Sequence, residues 1–153
     1  MRSIRGGSAG WQKLKAKQKP VTTIHSCYQK RKERLSGLGY TGYQAYLESD
    51  EWKEIRGRKL RRYPNCLLCQ KTATQVHHLD YNFETLLGLK NYRLVQLCGD
   101  CHKEIEFDEE RKRDNREANR ILFKRAEQTE RGRRWIEWGK HQKDKLKHAK
   151  KNR

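Results

Sequence analysis

Residues 64–102 read PNCLLCQKTATQVHHLDYNFETLLGLKNYRLVQLCGDCH, and the fold turns on how this stretch spends its four cysteines. Cys66 and Cys69 make one C-x-x-C pair, and Cys98 and Cys101 make a second of identical spacing. Each pair is a knuckle whose tight turn aims two thiolates at one point, so two knuckles build a closed tetrahedral zinc site. The alternative, four unrelated buried cysteines, does not account for the repeated spacing. A closed site does no chemistry itself, but it contributes folding energy. The chain needs that energy, because only 33% of its 153 residues are apolar and 37% are charged, which leaves a small core. Cys27 lies outside both pairs and reads as a free thiol. An odd total of five cysteines suits reduced thiols and metal ligands better than a disulfide framework.

Between the knuckles, TQVHHL and RLVQLC read as two short strands with a long loop between them, and a helix begins after Gly99 and Asp100. The zinc knuckles thereby draw His77 and His78 close to His102. Neighbouring residues on a strand point to opposite faces, so His77 and His78 should not chelate one ion together. One can bind a metal while the other, neutral, accepts a proton from water. His102 and Glu106 are spaced i, i+4 on the following helix and share a face, so they can complete a hard-metal site with His77. Upstream, Ser49 can cap a helix that Asp50 and Glu51 favour and Pro64 ends, with Trp52, Ile55, Leu60 and Tyr63 near one face; Trp52 is expected to pack rather than to touch a ligand.

From YLESDEWKEIRGRKLRRYPNCLLC through VHHLDY to RLVQLCGDCHKEIE the chain resembles the HNH endonucleases of the zinc-stabilised, four-cysteine kind, over about residues 43–107. The resemblance implies a small ββα-metal core with a structural zinc site, and with the helix read before it and a long basic C-terminal helical extension the expected fold is α+β. It implies that His78 is the general base and that His77 and His102 hold one divalent cation, to which the spacing of Glu106 adds a carboxylate. It also implies Zn²⁺ on Cys66, Cys69, Cys98 and Cys101, and cleavage to 5′-phosphate and 3′-hydroxyl ends. Tyr81 matches a tyrosine of relatives with an HHxxY segment, without a clear chemical role. Two positions depart from the family pattern. Arg93 stands where the family has an Asn that steadies the base and its loop, and neither Asn91 nor Asn82 is in register. Arg93 is therefore counted with His78 among the catalytic candidates, as a group that could meet a phosphate oxygen. Glu106 replaces a histidine of many relatives, and a carboxylate favours Mg²⁺ or Mn²⁺ over softer ions.

The formal net charge is +18. Residues 1–63 carry 16 Lys/Arg against 5 Asp/Glu, residues 64–104 carry 4 against 4, and residues 105–153 carry 17 against 10. A neutral centre between two basic flanks suits a polyanion gripped on either side of a site, and double-stranded DNA is the expected partner. Nothing resembles a base-reading helix, so low sequence specificity is expected. The expected organisation is a basic, flexible arm over 1–38 with one short helix near 26–35, a nuclease domain over 39–110, and a basic helical extension over 111–153 with breaks near Gly132 and Gly139. Ile121, Leu122, Phe123, Trp135, Ile136 and Trp138 in that extension could pack on the domain, on a second subunit in a homodimer, on a partner protein, or against DNA, with packing the default. No apolar run reaches membrane-span length and no signal-peptide core follows the basic start, so a cytoplasmic protein is expected. The two readings are thus a metal-dependent DNA endonuclease and a noncatalytic zinc module that binds nucleic acid.

Overall fold

Alternation along two four-residue strands sorts the hydrophobic core into two halves. In the computed structural model, which describes residues 22–151, strand β1 (Gln75–His78) pairs antiparallel with β2 (Leu94–Leu97), so that His77 faces Val95 and His78 faces Leu94. Side chains on a strand point alternately to its two faces. Val76 and Leu94 accordingly join one cluster with Leu35, Tyr46, Trp52, Ile55 and Leu86, whereas Val95 and Leu97 join another with Leu79, Ile105, Leu122 and the cysteines. The ribbon separates the two, and the fold is α+β.

The first cluster is covered by α1 (Thr22–Gly37), α2 (Tyr43–Glu48) and α3 (Asp50–Arg62). Ser49 caps α3 by accepting from the Trp52 main-chain N–H at 3.2 Å, which satisfies one orphan donor of the first turn. Residues 1–21 of the expected N-terminal arm lie outside the described residues. Its remainder is a longer helix than the one expected near 26–35. Leu35 is 1% exposed and the Arg34 guanidinium donates to the Tyr81 carbonyl at 3.3 Å, so this helix is packed on the domain.

The long loop between the strands holds a short helix, α4 (Phe83–Leu86), and a single 3-10 turn at Asn91–Arg93. The second cluster is covered by α5 (Gly99–Glu106) and α6 (Asn115–Ala126), followed by α7 (Glu130–Lys151). The breaks in this C-terminal half fall after Glu106 and after Ala126, not at the expected Gly132 and Gly139, both of which lie inside α7. The first break ends at a full capping box, in which Asp114 accepts from the Glu117 N–H and Glu117 accepts from the Asp114 N–H. Gly132 serves a different purpose from a helix breaker. A Cβ there would collide with the Ala126 backbone, so glycine permits the close turn from α6 into α7. Among the described residues no helix is long and apolar enough to cross a membrane.

Candidate functional site

The zinc frame is built by local turns at both ends of the ribbon. Cys66 donates its N–H to the Lys71 carbonyl and Gln70 donates back to the Cys66 carbonyl, closing the first knuckle, with Gln70 in the left-handed region at φ 65°. Leu67 donates to the Gln96 carbonyl, which ties that knuckle to β2. The second knuckle opens α5: Cys98 is its N-cap, and its sulfur accepts from the Cys101 N–H at 3.4 Å. One sulfur from each of Cys66, Cys69, Cys98 and Cys101 lies within 4.8 Å of the others, and the Cys69 and Cys98 sulfurs are 3.5 Å apart. A zinc–sulfur bond of about 2.3 Å places tetrahedral ligands about 3.8 Å from one another, so the cluster has the size of a zinc site. Burial and the crowding of the other thiols push Cys101 far up. Burial pushes Cys66 up as well, but main-chain groups of Cys69, Cys98 and Leu68 bring it down to about 7. Four thiolates cannot share this space without a positive ion to compensate them.

The second cluster lies on the face of the ribbon that Val95 and Leu97 share with the cysteines. His77 Nδ1 is 3.7 Å from Glu106 Oε1, and His102 Nε2 is 3.3 Å from the same oxygen. The three residues offer ligand atoms within 4.8 Å of one another, a separation that suits one small divalent cation. Burial works to raise the Glu106 carboxyl, yet His102, His77 and Lys112 together hold it well below the usual carboxylate range. Its second oxygen pairs with the Lys112 ammonium at 3.4 Å, which leaves Oε1 for the imidazoles.

The orientation of His77 is set by a residue that the sequence reading missed. Asn119 of α6 donates from Nδ2 to the Leu79 carbonyl at 2.7 Å, so its Oδ1 must be the atom facing His77 Nε2 at 2.9 Å. With a cation bound at Nδ1, Nε2 would carry the proton and donate to Asn119, leaving the Nδ1 lone pair on the side of Glu106 and His102. Such a partner on the far side of an imidazole fixes the tautomer and raises ligand strength. Asn115, one turn earlier, donates to the His78 carbonyl at 2.8 Å. The only sequence sign of this pair is its i, i+4 spacing just after the Asp114 and Glu117 box. We expect Asn119→Ala to weaken divalent-cation binding at this cluster by roughly 10- to 100-fold while leaving zinc content unchanged, read by calorimetric titration; equal affinity in the variant would remove Asn119 from the site.

His78 points to the opposite face, into an aromatic box. Its ring stacks on Trp52 with centroids 4.5 Å apart and on Tyr81 at 5.5 Å, and it is 2% exposed. Nδ1 lies 3.4 Å from the Tyr43 hydroxyl and Nε2 3.4 Å from the Tyr46 hydroxyl, which itself donates to the Leu86 carbonyl. Burial, reinforced by the His77 charge, brings the imidazole down to about 3, so it is neutral at ordinary pH. Trp52 thus packs on the domain as expected, and what it packs on is His78.

Both histidines nonetheless line one cleft of about 350 Å³, together with Tyr43, Trp52, Arg56, Tyr81, His102, Glu106 and Lys112. A smaller neighbouring recess adds Arg31, whose guanidinium lies 4.2 Å above the Tyr43 ring and 5.1 Å above that of Tyr81. Arg93 does not line the cleft. Its Nε donates to Asp80 Oδ2 at 2.6 Å, and Asp80 Oδ1 accepts from the Asn82 N–H and the Thr85 hydroxyl. The ion pair pins the loop that follows β1. Cys27 is half-buried and apart from the other cysteines.

The clustered cysteines and the two-stranded sheet with its flanking helices fit a zinc-binding ββα fold. Searches against protein-family models, curated proteins and solved structures returned no match.

Proposed function

We propose that the protein is a metal-dependent nucleic-acid endonuclease of the HNH kind, and that DNA is its substrate. The observation that carries this reading is the convergence of His77, His102 and Glu106 in a cleft that also presents Arg56 and Lys112. A divalent cation held by those three ligands would supply positive charge to the phosphodiester oxygens and the leaving oxygen. Arg56, Lys112 and Arg31 would orient the phosphate, as charge-assisted hydrogen bonds to phosphate oxygens do. His78 takes the proton from the attacking water in this reading. Among the imidazoles lining the cleft it is the one that Glu106 does not touch; burial leaves it neutral at ordinary pH but a weaker base than a free imidazole, so its proton acceptance depends on water reaching Nδ1. Tyr43 is the hydroxyl beside Nδ1 that the water would have to replace. Arg93 acts as a positioning residue through Asp80, the bracing task that an Asn performs in the family.

A noncatalytic zinc module that binds nucleic acid is favoured by one specific observation: both ring nitrogens of His78 are already met by tyrosine hydroxyls. Plasmid incubated with the purified protein decides between the two. Nicking or linearisation that requires Mg²⁺, Mn²⁺ or Ni²⁺ supports the nuclease. Intact plasmid at every metal concentration, with the protein folded and DNA bound, leaves the binding module.

A further inference from the structure

A second cavity, of about 510 Å³, opens further along α3 toward its C-terminal end. It is lined by Ile55, Arg58, Lys59, Arg61, Arg62, Gly88 and Asn91, four cations with no carboxylate among them. Lys59 is the unusual member. It is 4% exposed, its ammonium donates to the Asn91 carbonyl at 3.3 Å, and it sits 4.5 Å above the Tyr63 ring. Among the described residues no carboxylate pairs with it or with Arg62, whereas Arg58 and Arg61 share the exposed Glu54 at 3.7 Å. An ammonium taken out of water without a counter-ion is costly, and burial with the nearby Arg62 brings Lys59 down to about 8, which still leaves it charged at neutral pH. An anion entering the cavity would offset that cost.

The opposite wall of the cavity is kept low by Gly88. Its φ of +71° lies in the left-handed region, and a Cβ there would meet the Ile55 side chain at 2.9 Å. The shape therefore depends on glycine, and the charge on α3. The same helix presents Trp52 and Arg56 to the cleft, and a rise of about 1.5 Å per residue makes Trp52 to Arg62 a span of about 15 Å. At about 3.4 Å per nucleotide along a duplex axis, one strand would reach from the cleft to the cavity within about four to five nucleotides.

We propose that this cavity is a phosphate-binding site for the sugar-phosphate backbone of a nucleic-acid strand that also enters the cleft. The proposal rests on the nucleic-acid substrate of the preceding reading, but not on cleavage. The cavity holds one or two backbone phosphates between Lys59 and the Arg58 and Arg62 guanidiniums. Its contacts carry no base information, so it contributes affinity and register along the strand.

The test uses the full-length, zinc-loaded protein and a fluorescently labelled duplex, with anisotropy followed across a salt series and no divalent cation added. The variants are Lys59→Met, which keeps the buried stem and removes the charge, and the surface double change Arg58→Gln with Arg62→Gln. Zinc content and thermal melting check that each is folded. The double variant should bind about tenfold or more weakly, and its slope of log affinity against log salt should shrink by about 0.9 for each phosphate released. Folded variants with the parent's affinity and slope would overturn the proposal. So would a parent stabilised by inorganic phosphate through these residues while its duplex affinity ignores them, since the occupant would then be a free phosphate. A parent that binds through the cavity but cuts nothing leaves this inference standing and removes the nuclease reading. Metal-dependent cutting with duplex affinity unchanged in the variants does the reverse.

Discussion

Replacing Cys66 with Ser should leave the centre of the chain unfolded, and removing zinc with a strong chelator should do the same to the parent. Structural zinc contributes apparent binding energies of about 10–16 kcal/mol in small metal-folded domains, whereas whole domains are stable by only about 5–15 kcal/mol. The cluster around Leu79, Val95, Leu97, Ile105 and Leu122 is small, and Cys66, Cys98 and Cys101 are themselves among its buried members. Losing one ligand therefore opens the site and the core together. Elemental analysis should find one zinc per parent chain, and circular dichroism should show the melting transition lost in Cys66→Ser. Cys27→Ser, at a half-buried position of α1, should melt as the parent does. A Cys66→Ser protein with the parent's transition would mean that the cysteines do not hold a structural ion.

The second large effect is expected at the adjacent histidines, which should fail in different ways. His78→Ala should keep divalent-cation and DNA binding but slow cleavage by roughly a hundredfold or more, the usual scale for a positioned proton acceptor. Because the ring fills the space between Trp52 and Tyr81, His78→Gln and melting curves are needed beside the Ala variant to separate lost chemistry from a lost packing element. His77→Ala and His102→Ala should instead weaken the cation, with activity partly regained at high Mn²⁺. Cleavage rate against metal concentration reads all three. If His78→Ala loses the cation while His77→Ala does not, the two assignments are reversed; parent-like cleavage in every variant places the chemistry elsewhere.

The parts of this arrangement that were legible in the sequence are those fixed by short-range spacing. Two C-x-x-C turns, a capped helix from Ser49 and an i, i+4 pair at His102 and Glu106 each need only local geometry, and each is where the spacing put it. Alternation along β1 likewise assigns His77 and His78 to opposite faces. What escaped depends on the path of the chain between elements. Asn115 and Asn119 reach β1 only because the chain turns back after α5, through Phe107 to Asp114, and no periodicity encodes that return. Tyr43 and Tyr46 were equally silent, since tyrosines on a short helix read as ordinary core, and Arg31 is one cation among many in a basic segment. The breaks expected at Gly132 and Gly139 are absent because a glycine need not end a helix; at Gly132 it answers to the Ala126 backbone.

The ribbon is a single peptide layer, and on it two adjacent imidazoles inhabit different chemical climates, one ionic and one aromatic. Their separation is a matter of counting. Cys69 and the start of β1 set how many residues bridge the first knuckle to His77, and strand parity does the rest. One residue added or lost in that bridge would not merely displace the site but exchange its occupants, turning one histidine toward Trp52 and the other toward Glu106. The knuckle thus works as a ruler as well as a clamp, and the length of the bridge is as much a part of the centre as its ligands.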